Sequence, residues 1–67
     1  MVTPSPSLVS MNEVIRRTSL SRTSIDKFRA RGEFPKPVTL TDQRIAFVEA
    51  EVTEWINRRI AESRRKW

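Results

Sequence analysis

The sequence has no cysteine, no histidine and no tyrosine, and a single glycine among its 67 residues. Without cysteine there is no disulfide staple and no thiolate metal site. Without histidine the usual zinc ligand and the usual general base near pH 7 are both gone. One glycine cannot build a phosphate-cradling loop. The only lysines are Lys27, Lys36 and Lys66. None has an apolar setting that would lower its pKa enough to make it a nucleophile. The chain therefore reads as non-enzymatic, with no cofactor and no metal expected. Long apolar runs are missing too. Nothing approaches the roughly 18 residues of a membrane span. The N-terminus lacks the charged segment and apolar stretch of an export signal. Together these absences favour a soluble, non-exported protein of a reducing cytoplasm.

Charge is what the chain has in excess. Thirteen Lys and Arg stand against eight Asp and Glu, a formal net charge of +5, and the sequence pI is about 11.1. A small basic domain favours a polyanion, nucleic acid before an anionic membrane surface. Between Arg16 and Lys36 lie seven basic residues, Arg16, Arg17, Arg22, Lys27, Arg29, Arg31 and Lys36, against two acidic ones, Asp26 and Glu33. That segment alone carries the excess of the whole chain. Most charge runs are solvated surface, but this one is concentrated on a single unit.

A chain this short forms one domain, near the limit of independent stability. Met1 to Ser7, with Pro4 and Pro6, reads as a flexible tail (1–7), and the domain as 8–67. Asn12 to Gly32 reads as two short helices joined by a tight turn at Thr18-Ser19-Leu20. Ser10 caps the first helix, with Glu13 completing a capping box and Val9 and Val14 spaced as a hydrophobic staple. Met11, Val14 and Ile15 share one face, while Arg16 and Arg17 point away. Ser21 caps the second helix, with Leu20 and Ile25 as its staple. Ile25 and Phe28 point inward. At 100° per residue, Thr23, Asp26, Lys27 and Ala30 fall on the opposite side. Gly32 supplies the left-handed residue that ends the helix, and Pro35 and Pro37 forbid its continuation.

From Phe34 the period changes. Val38 and Leu40 alternate with polar residues, as do Ile45 and Phe47, across Thr41-Asp42-Gln43. This predicts a small β-hairpin with one buried face. A third helix follows, from about Glu49 or Ala50 to about Arg65. Val52, Trp55, Ile56 and Ile60 form its inward stripe. Glutamates gather at its start and arginines at its end, matching the helix dipole. Glu54–Arg58 and Glu62–Lys66 are i,i+4 pairs in the favourable order. The basic C-terminus thus has a structural explanation that needs no ligand. Phe28, Phe34, Phe47 and Trp55 are spaced as core, not as stacking platforms.

The stretch SLSRTSIDKFRARGEFPKPVTL, followed by RIAFVEAEVTEWINRRIA, resembles the AlpA-type prophage regulators, small MerR-like winged helix-turn-helix proteins with excisionase-like members. The resemblance runs from about Ser7 to Ala61. It is strongest at Leu20-Ser21-Arg22-Thr23-Ser24-Ile25, at Phe34-Pro35-Lys36-Pro37-Val38, and at Glu49-Ala50-Glu51-Val52 with Trp55-Ile56. It implies a mainly α fold in the order α-α-β-β-α, with the hairpin as a wing. It also implies double-stranded DNA binding, by a transcription regulator or by an excisionase that works with an integrase. This chain departs from the family at two places. Asp26 stands where an aromatic is common, and Thr41-Asp42 stands where glycine is common in the wing. A carboxylate at position 26 either accepts from cytosine N4 or pairs with Arg22 or Arg29.

The expected contacts follow. Arg22, Thr23 and Lys27 face base edges in the major groove, because an arginine fork matches guanine O6 and N7. Ser21 and Ser24 lie near phosphate. Lys36, Gln43 and Arg44 are wing contacts to the backbone or minor groove. Arg16 and Arg17 read as solvated surface first and as contacts to flanking phosphates second, and Arg29 and Arg31 as stems covering apolar surface. A single module of this size binds DNA modestly, so a homodimer or a cooperative array on repeated sites is expected. The competing reading is a protein-binding adaptor or inhibitor that turns the same basic face to an acidic partner.

Overall fold

A computed structural model describes residues 7–65. Its elements are β1 (Leu8–Val9), α1 (Met11–Thr18), α2 (Arg22–Ala30), β2 (Val38–Thr41), β3 (Arg44–Val48) and α3 (Glu49–Arg65). Met1 to Pro6, most of the expected tail, lie outside the described residues, as do Lys66 and Trp67. Ser7 gives its carbonyl to the Glu49 N–H at 2.8 Å, the first free donor of α3.

Local chemistry sets the helix ends. At the start of α1 the Ser10 hydroxyl accepts from the Glu13 N–H at 3.2 Å. At its end Ser19 turns left-handed, with φ 60°, and donates its N–H to the Ile15 carbonyl. The Thr18 hydroxyl donates to the Val14 carbonyl at 2.8 Å and accepts from the Leu20 N–H at 3.3 Å. The turn between the helices therefore has partners for its polar groups. At the start of α2 the Ser21 hydroxyl accepts from the Ser24 N–H at 3.2 Å. Its far end closes as a Schellman motif: the Glu33 N–H donates to the Phe28 carbonyl at 2.8 Å, and the Gly32 N–H to the Arg29 carbonyl at 3.0 Å. Gly32 takes φ 73° there, which a side chain would strain.

The element order corrects the expected α-α-β-β-α. A short strand precedes α1, and the three strands form one antiparallel sheet in the order β1-β3-β2. Leu8 opposes Val48 and Val9 opposes Phe47. Val9 is buried in the core, so it serves as strand residue as well as staple. Two residues cannot show alternation, which is why periodicity missed the strand.

The hairpin is also corrected. Its apolar residues do not share one buried face: Val38, Leu40 and Ile45 are 38%, 50% and 38% exposed, while Phe47 is fully buried. Register sets Val38 apart from Phe47, while Ile45, two residues before Phe47 and so on its face, is exposed nearer the turn. Val38 opposes Ala46 and Thr39 opposes Ile45, with an irregularity between Thr39 and Thr41. Val38 thus lies on the face away from Phe47, since opposed residues share a face and successive ones alternate.

Val9, Val14, Ile25, Phe34, Phe47 and Val52 form the core, with Met11, Ile15, Leu20, Phe28, Trp55 and Ile56 packed against it. Each fully buried side chain of this kind contributes about 1.5–3 kcal/mol. Ile60, expected in the same stripe of α3, is exposed, as is every residue from Asn57 to Arg65. The second half of α3 runs past the core. Among the described residues no helix is long and apolar enough to cross a membrane.

Candidate nucleic-acid interface

The geometry of α2 follows from what lies behind it. Ile25 is fully buried. Phe28 packs edge-on against Trp55 at 5.6 Å between centroids, and Trp55 does the same with Phe34 at 4.8 Å. The Trp55 indole N–H donates to the Glu33 carbonyl at 2.7 Å. That bond fastens α3 to the residue just beyond the cap of α2. The Arg59 guanidinium lies 5.2 Å from the Phe28 ring and 5.5 Å from the Trp55 ring, a further cation–π tie across the two helices.

In front, Ser21, Arg22, Thr23, Asp26, Lys27 and Ala30 are exposed and Ser24 is half-buried. The Arg22 side chain is 71% exposed. Lys27 enters no salt bridge among the described residues. The Ser21 hydroxyl donates to the Ser24 hydroxyl at 3.1 Å while accepting from the Ser24 N–H, so both sit at the helix N-terminus, and the Ser24 hydroxyl keeps its own proton for another acceptor. Asp26 resolves to the local ion pair. It accepts from Arg29 at 3.1 Å and lies 4.0 Å from the Arg22 Nε. Exposed pairs of this kind are worth only about 0.2–1 kcal/mol, so Arg22 is lightly held and can leave for another anion.

The remaining expected contacts lie elsewhere. Lys36 is exposed on the segment between α2 and β2, Gln43 on the hairpin turn, and Arg44 at the start of β3. Ser21 to Lys27 thus share one helix, while Lys36, Gln43 and Arg44 sit on two other segments. Arg29 behaves as a covering stem, its guanidinium 5.9 Å from the Phe47 ring. Arg31 does not: it is exposed and lies 3.7 Å from Glu33.

The chain belongs to the AlpA family. The family profile described as prophage CP4-57 regulatory protein (AlpA) matches residues 7–60. The chain is also similar to the uncharacterized protein ORF88 of enterobacteria phage P4, at 40% identity over 53 residues, 79% of this chain. It spans 60% of the length of that phage protein. The matched region runs from the β1 edge to Ile60 on α3, and so takes in α2 and the hairpin whole.

One feature of this AlpA-family chain escaped sequence reasoning. Arg16 and Arg17 are not simply solvated. Both donate to the Glu13 carboxylate, from Arg16 Nε at 2.9 Å and from Arg17 Nε at 2.8 Å. Arg17 also donates to Glu49 at 3.0 Å. It therefore links α1 to the start of α3. The Arg16 and Arg17 hydrogen bonds lower the Glu13 carboxyl from its ordinary 4.5 to about 2, and both guanidinium pKa values rise through the same bonds. The i,i+3 and i,i+4 spacings from Glu13 were readable as local pairs. The link to Glu49, 32 residues on, left no local signal.

Proposed function

We propose that the chain is a sequence-specific DNA-binding protein of the winged helix-turn-helix kind, without catalytic activity. α2 enters the major groove and the β2–β3 hairpin is the wing. Arg22, Thr23 and Lys27 read base edges, with Ser21 and Ser24 near phosphate. Lys36, Gln43 and Arg44 contact the adjacent backbone or minor groove. One observation carries the reading. α2 is closed at both ends and buried along its back, yet its front presents an exposed arginine, a threonine and a lysine with no salt bridge among the described residues. A rigid helix with a polar, cationic front is what base-edge recognition needs, because misplacing a bidentate donor forfeits the discrimination it brings.

Family membership supports a prophage regulatory role in the bacterial cytoplasm, at the nucleoid. The finer role is a transcription regulator or an excisionase; in the second case an integrase is a partner. A footprint on host DNA separates the two: beside a promoter for the regulator, beside an attachment site for the excisionase. The limited surface of one module favours two copies, or an array, on the DNA.

The direct test is binding to random duplex and to a selected site over a salt titration. DNA binding gives a slope of log K against log salt of about −0.9 for each phosphate contacted. Absence of binding at low salt would overturn this reading and leave the protein-directed adaptor.

A further inference from the structure

Arg22, Asp26 and Arg29 stand at i, i+4 and i+7 of α2, and so lie along one stripe of the helix. Their side chains are 71%, 49% and 31% exposed in that order, so the stripe runs from the front of the helix back towards the core. Its inner end is fixed. The Arg29 guanidinium lies 5.9 Å from the ring of Phe47, which is fully buried, and its Nη1 donates to Asp26 Oδ1 at 3.1 Å. One carboxylate oxygen is thus committed inward. The other, Oδ2, faces Arg22 and lies 4.0 Å from its Nε. Arg22 enters no other salt bridge among the described residues.

The atom of approach matters. A guanidinium carries one N–H on Nε and the rest on its two terminal nitrogens. Guanine O6 and N7 take two donors held side by side. An arginine engaged at Nε keeps both terminal nitrogens free and presents them end-on. Without the carboxylate the fork can also turn side-on or swing to a phosphate, and each base contact must order a long side chain afresh. In the free chain 4.0 Å is too long for a hydrogen bond, so Asp26 guides Arg22 without locking it. In a groove from which water is displaced, the local dielectric falls and the pair strengthens. A lone carboxylate there would be repelled by phosphate; flanked by Arg22 and Arg29, this one is neutralised from both sides.

We infer that Asp26 is a positioning residue that sets specificity: held by Arg29, it engages Nε of Arg22 and aims the terminal nitrogens of that arginine at a guanine edge. The role deepens the proposed function and rests on the reading of α2 as the major-groove helix. Its consequence has an unusual sign. Removing a negative charge from a DNA-binding face then weakens binding to the correct site. A carboxylate with no part in aiming Arg22 gives the reverse, because loss of an anion beside phosphate raises affinity for every duplex.

The test is a double-mutant cycle on the full chain. The unaltered protein selects a duplex from random sequence. Its affinity for that duplex and for random duplex is then compared with those of Asp26→Asn, Arg22→Ala and the double variant. Asp26→Asn keeps the size of the side chain and alters an exposed position, so the unfolding midpoint stays in place. It is expected to lower affinity for the selected site by about tenfold, while affinity for random duplex holds or rises. In the Arg22→Ala background the same substitution is expected to change the ratio of the two affinities by less than about twofold, because no fork is left to aim. Unchanged or higher affinity of Asp26→Asn for the selected site overturns the inference and leaves the DNA-binding reading standing. An equal loss with and without Arg22 also overturns it, and makes Asp26 a base reader in its own right, accepting from cytosine N4. A chain that binds neither duplex, or an Arg22→Ala variant with an unchanged ratio, overturns the proposed reading head first and this role with it.

Discussion

α2 and the β2–β3 hairpin both turn polar and basic residues outward, yet they are held in opposite ways. α2 is fixed from behind by Ile25 and Phe28, capped by Ser21 at one end and closed by Gly32 and Glu33 at the other. The hairpin is rooted at one point only. Ala46 and Phe47 are buried, while Val38, Leu40, Ile45 and the turn beyond them are exposed. Packing fixes a side chain's position far better than pairing between two strands does, because a two-stranded ribbon is marginal without a covered face. The difference suits a division of labour. A rigid element can discriminate between bases; a loosely rooted one can supply affinity and orientation through phosphate.

The largest effect tests the rooting itself. Phe47→Ala and Ile25→Ala remove fully buried side chains and are expected to destabilise by about 3–5 and 2–5 kcal/mol, enough to unfold a domain of marginal stability. Leu40→Ser, on the exposed half of the hairpin, is expected to stay within about 0.5 kcal/mol. Denaturant unfolding followed by circular dichroism checks all three. Equal losses for Ile25 and Leu40 would erase the contrast between the two regions.

A smaller effect separates their roles on DNA. Arg22→Ala and Lys27→Ala are expected to keep the unfolding midpoint while costing about 1–3 kcal/mol of affinity for a selected site, and to narrow its advantage over random duplex. Arg44→Ala is expected to weaken selected and random sites alike and to reduce the salt slope by about 0.9. Competition binding with both duplexes reads the two patterns. If Arg44 altered the specificity ratio and Arg22 did not, the hairpin would be the reader and α2 the support.

How much of this was legible in advance divides along the same line. The caps at Ser10 and Ser21 and the stop at Gly32 were readable because capping is decided within three or four residues. The bounds of α3 and the inward stripe of Val52, Trp55 and Ile56 were readable because periodicity is local too. The hairpin's existence was visible, but its buried face was not. Whether Val38 faces the core depends on being opposite Ala46, and register is settled between strands, not within one. β1 was too short to show a period. The bond from Trp55 to the Glu33 carbonyl and the link from Arg17 to Glu49 join distant segments through single side chains, which no local pattern encodes. For the interface, the outward face of α2 was legible from the angle of each residue around the helix. Whether Asp26 would turn to Arg29 or remain open was not, because both choices satisfy the same spacing.

The smallest predicted effect concerns the part of the scaffold that acid can loosen. Glu13 is held by Arg16 and Arg17, and Arg17 continues to Glu49 at the start of α3. The folded carboxyl titrates at about 2, against an ordinary 4.5. A carboxyl depressed on folding contributes stability that is fully present above the unfolded value. That contribution is lost as the pH falls from about 4.5 towards about 2, because the unfolded chain takes up the proton first. The unaltered chain should therefore be more stable than Glu13→Gln at pH 6, with the gap closing across that window and gone at its lower end. Thermal unfolding of both proteins from pH 6 to pH 2 measures it. The gap is small, since the group is exposed to solvent and screened by salt. A gap that persisted unchanged at pH 2 would mean that the charge of the carboxylate is not what Glu13 contributes.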